Sequence, residues 1–419
     1  MAGINSLDND DRRCEDNSHD GQKKLIGLRR EVSRLYFREH LSKNEIARRK
    51  RVSKRFVIDW TQSPQQDFTE DRRGWPVGKR RRWDSHTEKR IAQLHGALTG
   101  DPQAFFHGAT AIQQLWRRRH PDEEQPPLRT IGQILRDLGL ARPHRKRQPG
   151  ASRYLLYPEH TIYNVLGQRV MEVDFVGQKF IAGHSAPLHF IGCCFKKPPK
   201  LRFYQRIPAP RSRILIAGLR KVFRQFERPD CVKMDNAAVM IGSGHGTGNV
   251  TRVMAFLLKQ RIHPIFSVPR RPFTQASIEG NNSVFGRNFW NRCRFETIAD
   301  VDRQLAWFNE SSLLYTGYEA PAAGRTSKKP FEPMIHFLRQ VREHPDSGRT
   351  TIDVLNEQID LPASYTNYFV LATWHLANEA VTVSMEKDKT LEQIASHKLA
   401  INPRSRKRLK QDGAFSFCR

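Results

Sequence analysis

The sequence contains no long apolar run. Nowhere do about 18 hydrophobic residues follow one another, so no membrane-crossing helix is expected. The opening MAGINSLDNDDRRCEDNSHD is polar and acidic and offers no apolar stretch for a signal peptide. No amphipathic anchor or lipidation signal stands out either, so the expected location is the cytoplasm, on the nucleoid, with no membrane partner. Cysteine is sparse and unpatterned: Cys14, Cys193, Cys194, Cys231, Cys293 and Cys418 show no CxxC spacing, which argues against a disulfide framework or a zinc site. Acid is short relative to base, with 43 Asp and Glu against 71 Lys and Arg. Internal repeats are absent as well, so a solenoid or array is not expected.

What is present is positive charge on a chain able to fold. A formal net charge of +28 calls for a polyanion, and nucleic acid is the natural one, because phosphate neutralisation and counterion release supply affinity without sequence recognition. The plain alternative is a basic ribosome-associated or merely soluble protein. With 419 residues, 38% of them hydrophobic, the chain can form two or three domains with real cores.

Behind an acidic tail (1–22), the region 23–66 reads as three short helices. Leu28, Val32, Leu35 and Tyr36 recur at helical spacing, Ser42 is placed to cap a second helix containing Ile46 and Ala47, and Ser53 to cap a third with Phe56, Val57 and Trp60. The stretch LSKNEIARRKRVSKRFVIDW resembles a helix-turn-helix motif, which makes Ser53, Lys54 and Arg55 candidate DNA contacts. A simple three-helix bundle is the competing reading. After the basic run Lys79 to Arg82, the region 84–141 reads as a second helical, winged-helix-like DNA-binding unit. It ends in PPLRTIGQILRDLGL, with Ile131, Ile134, Leu135 and Leu138 on one face. A basic linker follows over 142–156, and a charge run of that kind is most often a solvated tether.

From Arg169 the periodicity changes. RVMEVDFVG alternates and reads as a strand with Asp174 on the face of Val170, Glu172 and Val176. Strands follow near His189 to Phe195 and Leu201 to Ile207, then a helix with Leu215, Leu219, Val222, Phe223 and Phe226. Cys231 to Met234 reads as a strand, Val250 to Leu258 as a helix, His263 to Val268 as a strand and roughly Gln275 to Arg292 as a helix. Three strands, helix, strand, helix, strand, helix is the succession of a ribonuclease-H-like α/β domain with a mixed sheet. The expected fold class is thus multidomain: N-terminal all-α helix-turn-helix units, this central domain, and a small β-rich domain at the C-terminal side.

The segments MEVDFVG, VKMDNA and QASIEGNNSVFGRNFW resemble the three acidic motifs of the DDE transposases and retroviral-integrase-like enzymes, of the bacterial insertion-sequence type. The resemblance covers about Tyr157 to Ala320 and frames a catalytic core over 157–325. It implies a polynucleotidyl transferase that cleaves DNA 3′ ends and joins them to a target, with Asp174, Asp235 and Glu279 as catalytic and metal-binding carboxylates. Two Mg²⁺ or Mn²⁺ ions about 4 Å apart would stabilise the attacking and leaving oxygens of an in-line displacement, and carboxylate oxygens suit such hard cations. The partners implied are double-stranded DNA, as element ends and as target, and further copies of the chain on that DNA, with an ATPase partner left open.

Residue patterning supports Glu279 beside the resemblance. Glu279, Asn282, Ser283, Gly286 and Arg287 share a polar stripe of their helix, and Ile278, Phe285 and Phe289 an apolar one. Asn282 and Arg287 are therefore candidate DNA contacts, as are Arg270 and Arg271 in the loop before the helix, which equally reads as a plain surface loop. Glu172, Glu227 and Asp230 read as neighbouring acids without a site role. The interval from Asp235 to Glu279 is longer than the family's, and the excess coincides with GSGHGTGNV at 242–250, an inserted loop rather than a phosphate cradle because it lacks a GK[ST] ending. Ala237 stands where the family often has glycine.

RFETIADVDRQLAWFNESSLLYTGYEAP resembles the helix that closes the family's core. Farther on, Tyr368 to Trp374 and Val381 to Met385 read as a hairpin within a small β-barrel-like domain (345–395), and 396–419 as a basic tail. Two rival functions remain: a catalytically inactive integrase-fold regulator or target-selection protein, and a metal-dependent nuclease without strand transfer.

Overall fold

The computed structural model describes residues 24–69, 83–141, 166, 169–242, 246–319, 331–344 and 347–411. The acidic tail, the basic run at 79–82 and the linker 142–156 lie outside these residues. Two compact units divide the chain, Met1–Asp84 and Ser85–Arg419.

In the first unit, helix α1 spans 24–37, α2 Lys43–Lys50 and α3 Lys54–Asp59. Both expected caps form: Ser42 Oγ accepts from Glu45 N at 3.2 Å and Ser53 Oγ from Phe56 N at 3.1 Å. Between the two helices Arg51 takes a left-handed conformation (φ 53°), which turns the chain sharply enough for Val32, Leu35, Ile46, Val57 and Trp60 to share one core. The Arg29 guanidinium lies 4.1 Å from the Trp60 ring and donates to the Phe68 carbonyl, tying the following segment onto the bundle.

The second unit opens with α4 (Ser85–Gly100), α5 (Ala109–Arg119) and α6 (Leu128–Asp137), which bury Ile91, Leu94, Ile112, Trp116, Ile131, Ile134 and Leu135 against one another. Among the described residues of this stretch there is no strand to serve as a wing. Then come β1 (Val170–Lys179), β2 (Leu188–Phe195), β3 (Leu201–Ile207), α7 (Ser212–Gln225), β4 (Cys231–Met234), α8 (Ala238–Ile241), α9 (Arg252–Lys259), β5 (His263–Phe266), α10 (Ala276–Phe285) and α11 (Ile298–Thr316). β1, β2 and β3 pair antiparallel, whereas β1, β4 and β5 run parallel, as crossovers through α7 and α9 require. The period of two sorts β1 between layers: Met171 and Val173 face the large core beneath α7 and α9, and Val176 faces an aromatic cluster with Phe190, Tyr204, Phe285, Phe289 and Phe308 beneath α10 and α11.

The C-terminal region differs from the separate β-rich domain expected. β6 (Met334–Gln340) pairs parallel with β5, and β10 (Phe369–His375), β11 (Ala380–Lys387) and β12 (Thr390–Lys398) follow antiparallel. The result, among the described residues, is one nine-stranded sheet, ordered β12-β11-β10-β6-β5-β4-β1-β2-β3. β5 would otherwise leave an unpaired edge beside buried apolar side chains, and pairing with β6 covers it. Trp374, Val381 and Val383 accordingly join the same core as Val173 and Leu257. A small second sheet comprises β7 (Arg342–Glu343), β8 (Thr350–Val354) and β9 (Glu357–Asp360).

Part of the expected basic tail is also structured, as α12 (Pro403–Gln411), with Ser405 and Leu409 fully buried. The end of the glycine-rich loop receives it. Gly248 (φ +62°) approaches the chain so closely that a Cβ there would lie 1.9 Å from the Ala400 carbonyl oxygen, and its own carbonyl accepts from Asn402 N at 2.8 Å. Ser405 Oγ in turn accepts from Val250 N at 2.8 Å.

Candidate active site

The two aspartates belong to neighbouring parallel strands, Asp174 in the middle of β1 and Asp235 just past the carboxyl end of β4. In the β1–β4 register Glu172 stands beside Lys233; Asp174 comes two residues farther along β1, and Asp235 follows β4 directly. In open α/β sheets ligands find a crevice at the carboxyl ends of parallel strands, where Asp235 lies. Burial raises the Asp174 carboxyl from 3.8 to about 6, helped by the charge of Asp235 and, more weakly, of Glu279, against the opposing bonds from the Phe175 amide and Asn282. Burial likewise pushes Asp235 up, and a bond from Ala237 N at 3.1 Å offsets part of this. The alanine at 237 leaves that bond in place.

Glu279 lies in the first turn of α10 with its side chain exposed, while Ile278, Phe285 and Phe289 are fully buried. The polar and apolar stripes read from the sequence are thus the two faces of this helix, which runs on through a π-helical turn at Gly286–Trp290. Partial desolvation, then the charge of Glu172, raises the Glu279 carboxyl.

Asn282 is turned inward, onto Asp174. Its Nδ2 donates to Asp174 Oδ2 at 2.9 Å, and the Tyr204 hydroxyl donates to its Oδ1 at 3.2 Å, so the phenol fixes which end of the amide meets the carboxylate. Opposite Asp174 on β2 lies Gly192, and a Cβ there would come within 2.8 Å of the Tyr204 ring and 3.0 Å of Asn282 Oδ1. The missing side chain is what lets α10 settle against the strand that bears Asp174.

A buried pair lies beneath the carboxylates. Lys233 Nζ and Glu172 Oε1 are 3.3 Å apart with both side chains 2% exposed. Glu172 Oε2 accepts the Ile278 amide at 2.9 Å, and Lys233 Nζ donates to the Thr274 carbonyl. Sequence reasoning set Glu172 aside and did not consider Lys233, Tyr204 or Gly192. A usable signal was present: in MEVD and VKMD, charges of opposite sign each stand two residues before an aspartate.

The other candidates fall in separate places. Arg270 is exposed with a left-handed backbone (φ 58°), and Arg287 is exposed. Arg271 is engaged, its guanidinium donating to Gln340 Oε1 at 3.1 and 2.9 Å. In the first unit the Ser53 hydroxyl caps α3, Lys54 is exposed, and Arg55 pairs with Asp59 at 3.1 Å.

Among the described residues, no group of three or more His, Cys, Asp or Glu side chains stands close enough together to hold a metal ion. The expectation that Asp174, Asp235 and Glu279 share a ready-made cation seat is therefore not met in this conformation. Mutual repulsion opposes closure of three carboxylates on one point, and Glu279 is on the exposed flank of its helix. The donor set nonetheless suits a hard divalent cation, since Asp174 and Asp235 offer carboxylate oxygens whose repulsion a cation would relieve. Among the described residues no helix is long and apolar enough to cross a membrane.

No protein-family model and no curated protein matches the sequence. Solved structures do show likeness. The simian T-cell lymphotropic virus intasome in complex with PP2A regulatory subunit B56 gamma aligns over 75% of this chain and 99% of that one, at 12% identity and TM-score 0.30. The catalytic core domain of BIV integrase aligns over 38% and 88%, at 12% identity and TM-score 0.24. The mariner Mos1 paired end complex with Mg aligns over 69% and 92%, at 15% identity and TM-score 0.25. At these scores the likeness carries no functional weight, which falls instead on the chemistry of the site.

Proposed function

We propose that this chain is a DNA transposase or integrase of the DDE type, a polynucleotidyl transferase in which Asp174, Asp235 and Glu279 work as one site. One observation supports the reading: two half-buried aspartates on adjacent parallel strands are both pushed up by burial, the charge of Asp235 adds to the cost of ionising Asp174, and an exposed glutamate whose charge also reaches Asp174 stands on the facing helix. Charges brought together at such cost are characteristic of functional sites. The substrate is a polyanion in keeping with a net charge of +28.

Asp174 and Asp235 would hold one divalent ion, and Asp174 with Glu279 a second once substrate closes the site. Such ions supply Lewis acidity at the attacking and leaving oxygens. The chain's own residues do the rest. Asn282, oriented by Tyr204, presents a donor to one oxygen of Asp174 and so orients the carboxylate. The ionised form of Asp174 is the working form, and because burial and the charge of Asp235 disfavour it, a proton and a divalent ion compete for this carboxylate. Arg270 and Arg287 are exposed and suit backbone phosphates near Glu279. The capped helices α2 and α3, with Lys54 and Arg55, suit recognition of element ends as a helix-turn-helix. Copies of the chain would pair the ends.

The test is product analysis. Protein and Mg²⁺ are incubated with labelled duplexes carrying the inverted repeats that border the coding region, plus a target plasmid. Joined species that vanish with Asp174→Asn are expected; specific binding without any joined or nicked product would overturn the assignment. The open arrangement of the three carboxylates favours a second reading, a binding-only regulator. That reading requires end binding indifferent to divalent ions, and the same assay detects it.

A further inference from the structure

The buried charges beneath the aspartates have no place in the chemistry just described, yet a buried ion pair costs more than an apolar pair of equal volume. Glu172 and Lys233 are register partners on adjacent parallel strands, 2% exposed each and 3.3 Å apart. The second oxygen of Glu172 accepts the Ile278 amide at 2.9 Å. That amide belongs to the first turn of α10, where backbone N–H groups have no partner within the helix, and the residue before the helix, Gln275, supplies no side-chain cap. A carboxylate there also suits the positive end of the helix dipole. Lys233 donates to the Thr274 carbonyl, so the pair grips the chain on both sides of the start of α10.

Glu279 is the residue after Ile278. Glu172 precedes Asp174 by two residues on β1, and Lys233 precedes Asp235 by two. We propose that Glu172 and Lys233 are positioning residues, a clamp that fixes the backbone of Glu279 against the strands that carry both aspartates. The proposal rests on the reading that the three carboxylates act together. With one oxygen on Lys233 and the other on the α10 backbone, Glu172 is itself placed to hold the helix and not a cation.

Two paired substitutions test the clamp in the full-length protein. Glu172→Leu with Lys233→Met removes both charges without orphaning either; Glu172→Gln with Lys233→Met does the same but keeps an acceptor for Ile278. In the first, hydrogen exchange at the Ile278 amide is expected to quicken by about tenfold while strand β2 is unchanged. Its half-saturating Mn²⁺ concentration, read by electron paramagnetic resonance, should rise by about 10- to 100-fold, as loss of support around metal ligands does. The Gln/Met pair should restore Ile278 protection and most of the Mn²⁺ affinity, a rescue that a merely structural pair would not give. Wild-type exchange and Mn²⁺ affinity in the Leu/Met protein would overturn the clamp. If that protein does not fold, the wild type decides: an Ile278 amide exchanging as freely as an unpartnered first-turn amide refutes the proposal. A wild type that binds no Mn²⁺ would contradict the proposed function, and the clamp would then stand or fall on exchange alone.

Discussion

Replacing Asp174 with Asn should make the protein more stable and less active at once. Burial and the charge of Asp235 lift the folded-state carboxyl from 3.8 to about 6, so its ionised form is destabilising in the native protein. The sign follows from proton binding. Between the two values the folded state holds the proton more tightly than the unfolded chain, so stability is greatest below 3.8 and is lost as pH rises through about 6. Worked through linkage, the penalty is about 3 kcal/mol at pH 8 and about half that at pH 5. Asn fills the same volume, can still accept from Asn282 and carries no charge. In EDTA, thermal and denaturant unfolding of the two proteins should therefore show Asp174→Asn ahead by a few degrees at pH 8, with the lead shrinking at pH 5. A variant less stable than wild type at pH 8, or a lead that does not change with pH, would refute the electrostatic reading of the site.

Other substitutions separate position from chemistry. Glu279→Gln, on an exposed side chain, should leave the unfolding midpoint within about 0.5 kcal/mol of wild type and abolish DNA joining, as measured by product gels. Gly192→Ala would drive a methyl into Tyr204 and Asn282; denaturant unfolding should show a loss of about 1–3 kcal/mol, and joining should fall with it. Ser53→Ala removes the α3 cap and should cost the first unit about 1 kcal/mol by the same method, with binding to end DNA weakened and the metal response of the second unit unchanged.

Much of the central region was legible because its elements are strongly patterned. β3 occupies Leu201–Ile207 and β4 Cys231–Met234, the bounds read from the sequence, and the apolar face of α7 carries Leu215, Leu219, Val222 and Phe223 as the spacing required. Both serine caps were readable from residue type alone. The hairpin at β10 and β11 was legible too, but its place in the main sheet was not. Pairing of β6 with β5 is a contact between strands far apart in sequence, and nothing in the alternation of either one names its partner.

The site was half visible for a similar reason. The position of Glu279 on the polar flank of α10 follows from a period of 3.6. The inward turn of Asn282 depends on Tyr204 and on the space left by Gly192, two residues on other strands that local reasoning cannot bring together. Glu172 looked like a bystander because an acid on a strand is ordinarily solvated, and only the register that sets it beside Lys233 explains its burial.

Titration with Mn²⁺ followed by electron paramagnetic resonance, on the wild type and on Asp174→Asn, Asp235→Asn and Glu279→Gln with duplex DNA present, tests the shared site most directly. Two ions bound by the wild type are expected, with none or one in each substituted protein. Failure of the wild type to bind Mn²⁺, or wild-type binding in all three substituted proteins, would contradict a site built from these carboxylates.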